Sequence, residues 1–143
     1  MRVRYSLCFI AILVVASVAS AQNRAKKIEH TAAAQTSPAS GSEMFVSYCA
    51  PCHGKDAKGD GPAASALKIA PANLTRLARD NGGKYPTNKV TSVLGGQTDL
   101  AAHGNKEMPV WGKVFWTMSG GRADEVQQRV ANLNRYIESL QVK

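Results

Sequence analysis

Apolar residues along this chain fall into two patterns. Leu7 to Val18 is a short, nearly unbroken apolar run. From about residue 41 onward, apolar residues instead recur at helical spacing between glycine breaks at Gly82-Gly83, Gly95-Gly96 and Gly120-Gly121, with Asp60-Gly61-Pro62 as a further turn. Val126, Val130, Leu133, Ile137 and Leu140 follow spacings of four, three, four and three, which makes one stripe on a helix. Asp124 and Glu125 stand where the first turn of that helix favours negative charge. Further helices are expected from about Ser42 to Cys52 with Ser42 as the N-cap, briefly after Pro62, over Thr87 to Leu94, and over Val110 to Met118. No segment alternates as a strand does, so the fold class is all-α. Short helices joined by glycines gain little by themselves, which favours an apolar group bound at the centre.

The opening run has its own meaning. Arg2 and Arg4 precede it and Ala19-Ser20-Ala21 follows it, the layout of a secretory signal over 1–21 cut before Gln22. The run is shorter than the roughly 20 residues that span a bilayer. Cleavage is therefore expected, and an uncleaved N-terminal anchor is the alternative. Residues 22–40, rich in Ala, Thr and Ser, show no apolar period and are expected to be a flexible tether. The domain is then 41–143, a common size. Without Arg2 and Arg4 the 18 basic residues become 16 against 10 acidic ones, a formal +6. Such a charge suits an acidic partner or an anionic surface. No basic stripe interleaved with aromatics supports a nucleic-acid partner. The expected location is the periplasm, with membrane contact only through partners or through an uncleaved N-terminus.

Of the three cysteines, Cys8 lies in the leader, and Cys49 and Cys52 stand three apart with His53 directly after. Cys-x-x-Cys-His is the haem c attachment pattern. Residues three apart share a face of a helical turn, so both thiols reach one side of a porphyrin and the histidine meets the iron. A thioredoxin-like dithiol wants a βαβ context and a zinc site wants four ligands, while a plain disulfide between Cys49 and Cys52 is the alternative in an oxidising compartment. For the opposite side of the iron the candidates are Met44, Met108, Met118 and His103; His30 is too far into the tether. Met108 leads, because Pro109 pushes it out of helical conformation onto a loop. A thioether is a soft ligand that raises the reduction potential. Trp111 and Phe115, at helical spacing beyond it, are expected to wall that side.

The stretch from Gly41 to Thr75, together with Met108-Pro109-Val110-Trp111-Gly112, resembles the class I c-type cytochromes. It is most similar to bacterial single-haem carriers and oxidase-associated cytochrome c domains. The resemblance implies one covalent haem within short helices. It matches Gly41 and Phe45 to residues that pack on Tyr136 of the last helix. It also implies that the carbonyl of Pro62 receives the hydrogen bond of His53. The interval from His53 to Met108 is 55 residues, longer than in compact members, with the excess expected between Arg76 and Lys84.

With both axial positions filled by protein there is no place for a substrate. The expected function is electron transfer between respiratory oxidases, reductases or dehydrogenases, not catalysis. The alternatives are a fixed subunit of such a membrane complex, or a haem enzyme or gas sensor in which Met108 leaves the iron. Lys55, Lys58, Lys106 and Lys113 are candidates for a docking ring; a merely solvated surface explains them equally well.

Overall fold

A computed structural model describes residues 33–96 and 110–142. Among these residues it is helical and contains no strand. Helix α1 (Gly41–Met44) runs through a π-helical turn (Phe45–Cys49) into α2 (Ala50–His53). Three 3₁₀ turns follow, at Ala64–Ala66, Leu74–Arg76 and Arg79–Asn81. The longer helices are α3 (Thr87–Gly95), α4 (Trp111–Met118) and α5 (Ala123–Ser139).

The first helical segment shows how local chemistry sets geometry. Its N-cap is Ser40, two residues earlier than the Ser42 expected from sequence. Ser40 is extended, and its Oγ accepts the Glu43 N–H at 3.2 Å. The Ser42 hydroxyl instead lies 3.3 Å from the Ser40 hydroxyl. Further along, Pro51 has no N–H to give the Ser47 carbonyl, and a proline ring crowds the carbonyl four residues back. Widening the preceding turn to π relieves both conflicts, and the Ala50 N–H closes it onto Phe45 O.

The core gathers where α1 and its π turn meet α5. Phe45 packs on Tyr136 with ring centroids 5.4 Å apart. A Cβ on Gly41 would lie 2.8 Å from Tyr136 Cβ, so only glycine permits this approach. The expected stripe on α5 holds: Val130, Leu133 and Ile137 are buried, and Val126 and Leu140 pack against them. Tyr85 joins the same core through its hydroxyl, which donates to Asn134 Oδ1 at 2.6 Å; burial and the Glu138 charge raise its pKa. Asn134 in turn donates to Thr87 O and Thr91 Oγ1, which ties α3 to α5.

The segment ahead of α1 departs from expectation. Residues 34–40, assigned by sequence to the tether, lie against the domain. Thr36 is buried, Asn132 Nδ2 donates to Pro38 O at 2.8 Å, and Tyr48 Oη donates to Ala34 O at 2.7 Å. The cause is polar: buried groups on α5 and the π turn need partners, and this stretch supplies them. The expected leader over 1–21 and residues 22–32 of the expected tether lie outside the described residues.

Candidate functional site

Cys49 ends the π turn, and Cys52 and His53 close α2. A four-residue helix end normally leaves its carbonyls open. Here the loop that follows takes all four. Gly54 N–H donates to Ala50 O at 2.9 Å, Ala63 N–H to Pro51 O at 2.8 Å, Gly61 N–H to Cys52 O at 3.0 Å, and Gly59 N–H to His53 O at 2.8 Å. Gly61 makes this possible by its lack of a side chain, since a Cβ there would sit 2.6 Å from Ala50 O. Ala57, fully buried in the same loop, takes a left-handed conformation (φ 59°) at a cost of order 1 kcal/mol. Its carbonyl receives Leu74 N–H at 2.8 Å and so brings the 72–75 stretch back over His53.

That return supplies the partner of the histidine. His53 Nδ1 lies 2.9 Å from Ala72 O. A carbonyl cannot donate, so Nδ1 carries the proton and Nε2 keeps its lone pair. The expectation for Pro62 is thereby corrected. The Pro62 carbonyl is not the acceptor, because its loop is spent on closing the end of α2 while residue 72 crosses the ring. Burial lowers the His53 pKa more than the Ala72 bond raises it, and the ring is neutral at pH 7. A neutral imidazole with one nitrogen fixed by a carbonyl is an oriented metal ligand.

The two cysteines are free thiols, Cys49 buried and Cys52 half-buried. Burial, helped by the Cys52 charge, pushes Cys49 up to about 12, and burial raises Cys52 as well. Dithiol oxidoreductases depend on the opposite shift. Among the described residues no group of three or more His, Cys, Asp or Glu is placed to hold a metal.

Behind Cys49 stands an aromatic wall. The Tyr48 ring stacks on Trp111 at 5.1 Å and 28°, and Phe115 lies 5.8 Å from Tyr48. Trp111 and Phe115 are buried. Met44 is engaged in the core, its Sδ 4.0 Å from Arg129 Nη1, and the Met118 Sδ is 3.4 Å from Tyr48 Oη. Met108, His103 and Lys106 lie outside the described residues. Sequence reasoning missed Ala72, Tyr48, Thr36 and the buried Arg129.

Comparison with known families places this arrangement. A family model described as cytochrome C oxidase, cbb3-type, subunit III matches residues 36–126. The chain belongs to this family. It is a c-type cytochrome domain, as the resemblance in its sequence implies, and haem-dependent electron transfer is the chemistry of such a domain. The match begins at Thr36, in agreement with the packed segment ahead of α1. No curated protein and no solved structure matches the cytochrome chain.

The residues present fit a haem. Two free thiols three apart, an adjacent neutral imidazole whose Nε2 keeps its lone pair, and carbonyls sealed by loop 54–63 form a rigid attachment turn. The buried Trp111 Nε1–H finds no acceptor among the described residues, leaving a spare polar donor on the same core. Outside the turn the cytochrome surface is mixed in charge. Lys55 shares a recess with Asp56 and Asp60, and Lys58 lies 4.0 Å from Asp56.

Proposed function

We propose that this cytochrome carries one haem c through Cys49 and Cys52, with His53 and Met108 as axial ligands, and that it passes electrons between respiratory partners in the periplasm. The single observation that carries the proposal is the attachment turn itself: paired free thiols beside an imidazole whose Nδ1 is held by Ala72. Bound haem supplies a one-electron iron couple. The chain supplies the rest. Cys49 and Cys52 hold the group, His53 meets the metal through a fixed nitrogen, and Tyr48, Trp111 and Phe115 keep water from the thioether side. With Met108 as the proposed second ligand beside His53, a bound haem would have no open site for a substrate, so the proposed role is that of a carrier and not an enzyme. The leader over 1–21 accounts for export.

A second proposal, favoured by the description of the family, is a fixed subunit of a respiratory oxidase. Stable co-purification with membrane partners supports it, and a freely soluble monomer argues against it.

The test is mass spectrometry and optical spectroscopy of protein made in a strain competent in haem attachment. We expect one covalently added macrocycle, lost in the Cys49→Ala/Cys52→Ala double variant. A weak far-red band of sulfur–iron ligation in the ferric protein is expected to vanish in Met108→Ala. A colourless wild-type protein overturns the proposal; rapid carbon monoxide binding to the wild type favours a sensor or enzyme. Steering by Lys55, Lys58, Lys106 and Lys113 predicts electron exchange with an acidic partner that slows as salt rises. A rate indifferent to ionic strength removes that part.

A further inference from the structure

The geometry points to Thr36 as a positioning residue for Cys49, acting through a one-way hydrogen-bond relay from Arg129 to Tyr48. The inference rests on the haem-carrier function proposed above. Thr36 and Arg129 are 8% and 2% exposed, and the Thr36 hydroxyl stands between two buried groups. Arg129 Nη1 is 3.1 Å away and Tyr48 Oη 2.7 Å away. Proton bookkeeping fixes every direction. A guanidinium only donates, so Arg129 gives a proton to Thr36 Oγ1. Tyr48 spends its one proton on Ala34 O at 2.7 Å, a better acceptor than the Met118 sulfur at 3.4 Å. Thr36 therefore donates to Tyr48. The cationic end is held by Glu125, which accepts from Arg129 Nη2 at 2.9 Å and Nε at 3.2 Å.

Tyr48 is the residue before Cys49, in the π turn. That turn lacks the regular helical ladder, and Pro51 removes a further donor, so side-chain anchors decide its shape. Tyr48 is anchored at both parts: its ring by Trp111 and Phe115, its hydroxyl by the relay. Cys52 is held by a separate device, the carbonyls sealed by loop 54–63. Loss of the relay should displace Cys49 and leave Cys52 in place. Each attachment adds a thiol S–H across a vinyl C=C: the S–C bond forms, the π bond is lost, and the proton ends on the neighbouring carbon. No oxidant or reductant is consumed.

The experiment compares wild type, Thr36→Val, Thr36→Ser and Tyr48→Phe, all matured with haem. Pyridine haemochrome spectra and peptide mass mapping count the thioethers per haem, and voltammetry gives the midpoint potential. Thr36→Val and Tyr48→Phe should raise severalfold the fraction of haem held through Cys52 alone, with a shifted potential. Thr36→Ser should restore the wild-type pattern. Lower thermal stability with two thioethers and an unchanged potential in both variants overturns the inference, because Thr36 would then be only structural. Should Thr36→Val fail to fold, Tyr48→Phe, which keeps the stacked ring, decides in the same way. A wild type without haem overturns the carrier function and this inference together; haem on wild type with unaltered variants overturns this inference alone.

Discussion

The two halves of α5 hold one domain by different physics. Beyond residue 129 the helix works mainly by contact: Val130, Leu133 and Ile137 are buried, and Tyr136 packs on Phe45 where Gly41 lets the backbones close, with Asn132 and Asn134 as its polar ties to Pro38, Tyr85 and α3. Up to residue 129 it works by pairing. Arg129 is buried, and Glu125 gathers Arg129, Ser119 and Arg122 around one carboxylate. Contact is non-directional and scales with the area removed from water. Pairing is directional, and each missing partner leaves a donor or acceptor stranded. The two halves should therefore fail differently under substitution.

The largest effect is expected in the contact half. Leu133 is fully buried, and Leu133→Ala should cost about 3 kcal/mol through lost burial and a residual cavity. Leu133→Met, which keeps volume, should cost less than about 1.5 kcal/mol. Urea unfolding of the matured protein measures both. Equal costs would mean that shape, not burial, governs this half.

The pairing half reverses the sense of a conservative change. Arg129→Lys keeps the charge but loses the planar fork that reaches Glu125 twice and Thr36 once. One lost charge-assisted bond predicts a cost of about 2 kcal/mol. A fully tolerated lysine would show that the site needs a cation and no geometry.

The same contrast decides what the sequence could reveal. The stripe on α5 is legible because contact follows a local period. Cys49-x-x-Cys52-His53 is legible because its chemistry is contained in one turn. Arg129 sits three residues after Val126 and four before Leu133, on the buried face, so the period does mark it. Its side chain type argues for solvent, and only a partner at i−4 hints otherwise. Thr36 has no local signal. Its partners, Tyr48 and Arg129, lie 12 and 93 positions away, and its neighbours are small polar residues typical of a linker. The acceptor of His53 was also illegible, because every residue has a carbonyl and only the fold selects Ala72 over Pro62. Two serines, Ser40 and Ser42, compete equally as caps until the approach of Gly41 to α5 fixes where the helix begins.

The smallest effect lies on the pH axis, and it separates the two halves without altering any apolar group. Hydrogen bonds from Arg122, then Ser119 and Arg129, hold Glu125 down at about 2, against an ordinary 4.5. A carboxylate depressed on folding contributes stability that is complete above its unfolded pKa and is lost as pH falls toward the folded value. The window therefore runs from about 4.5 down to about 2. Within it protonation strips the counter-charge from Arg129, which is buried and cannot turn to water. Glu125→Gln cannot titrate. The stability difference between wild type and this variant should be constant above pH 4.5 and shrink steadily toward pH 2. Added salt should narrow the difference, because Arg122 is exposed and screened. Leu133→Met, confined to the contact half, should run parallel to wild type across the same window. If both variants run parallel to wild type, acid sensitivity does not originate at Glu125, and the division of α5 into a pairing half and a contact half fails at its charged end.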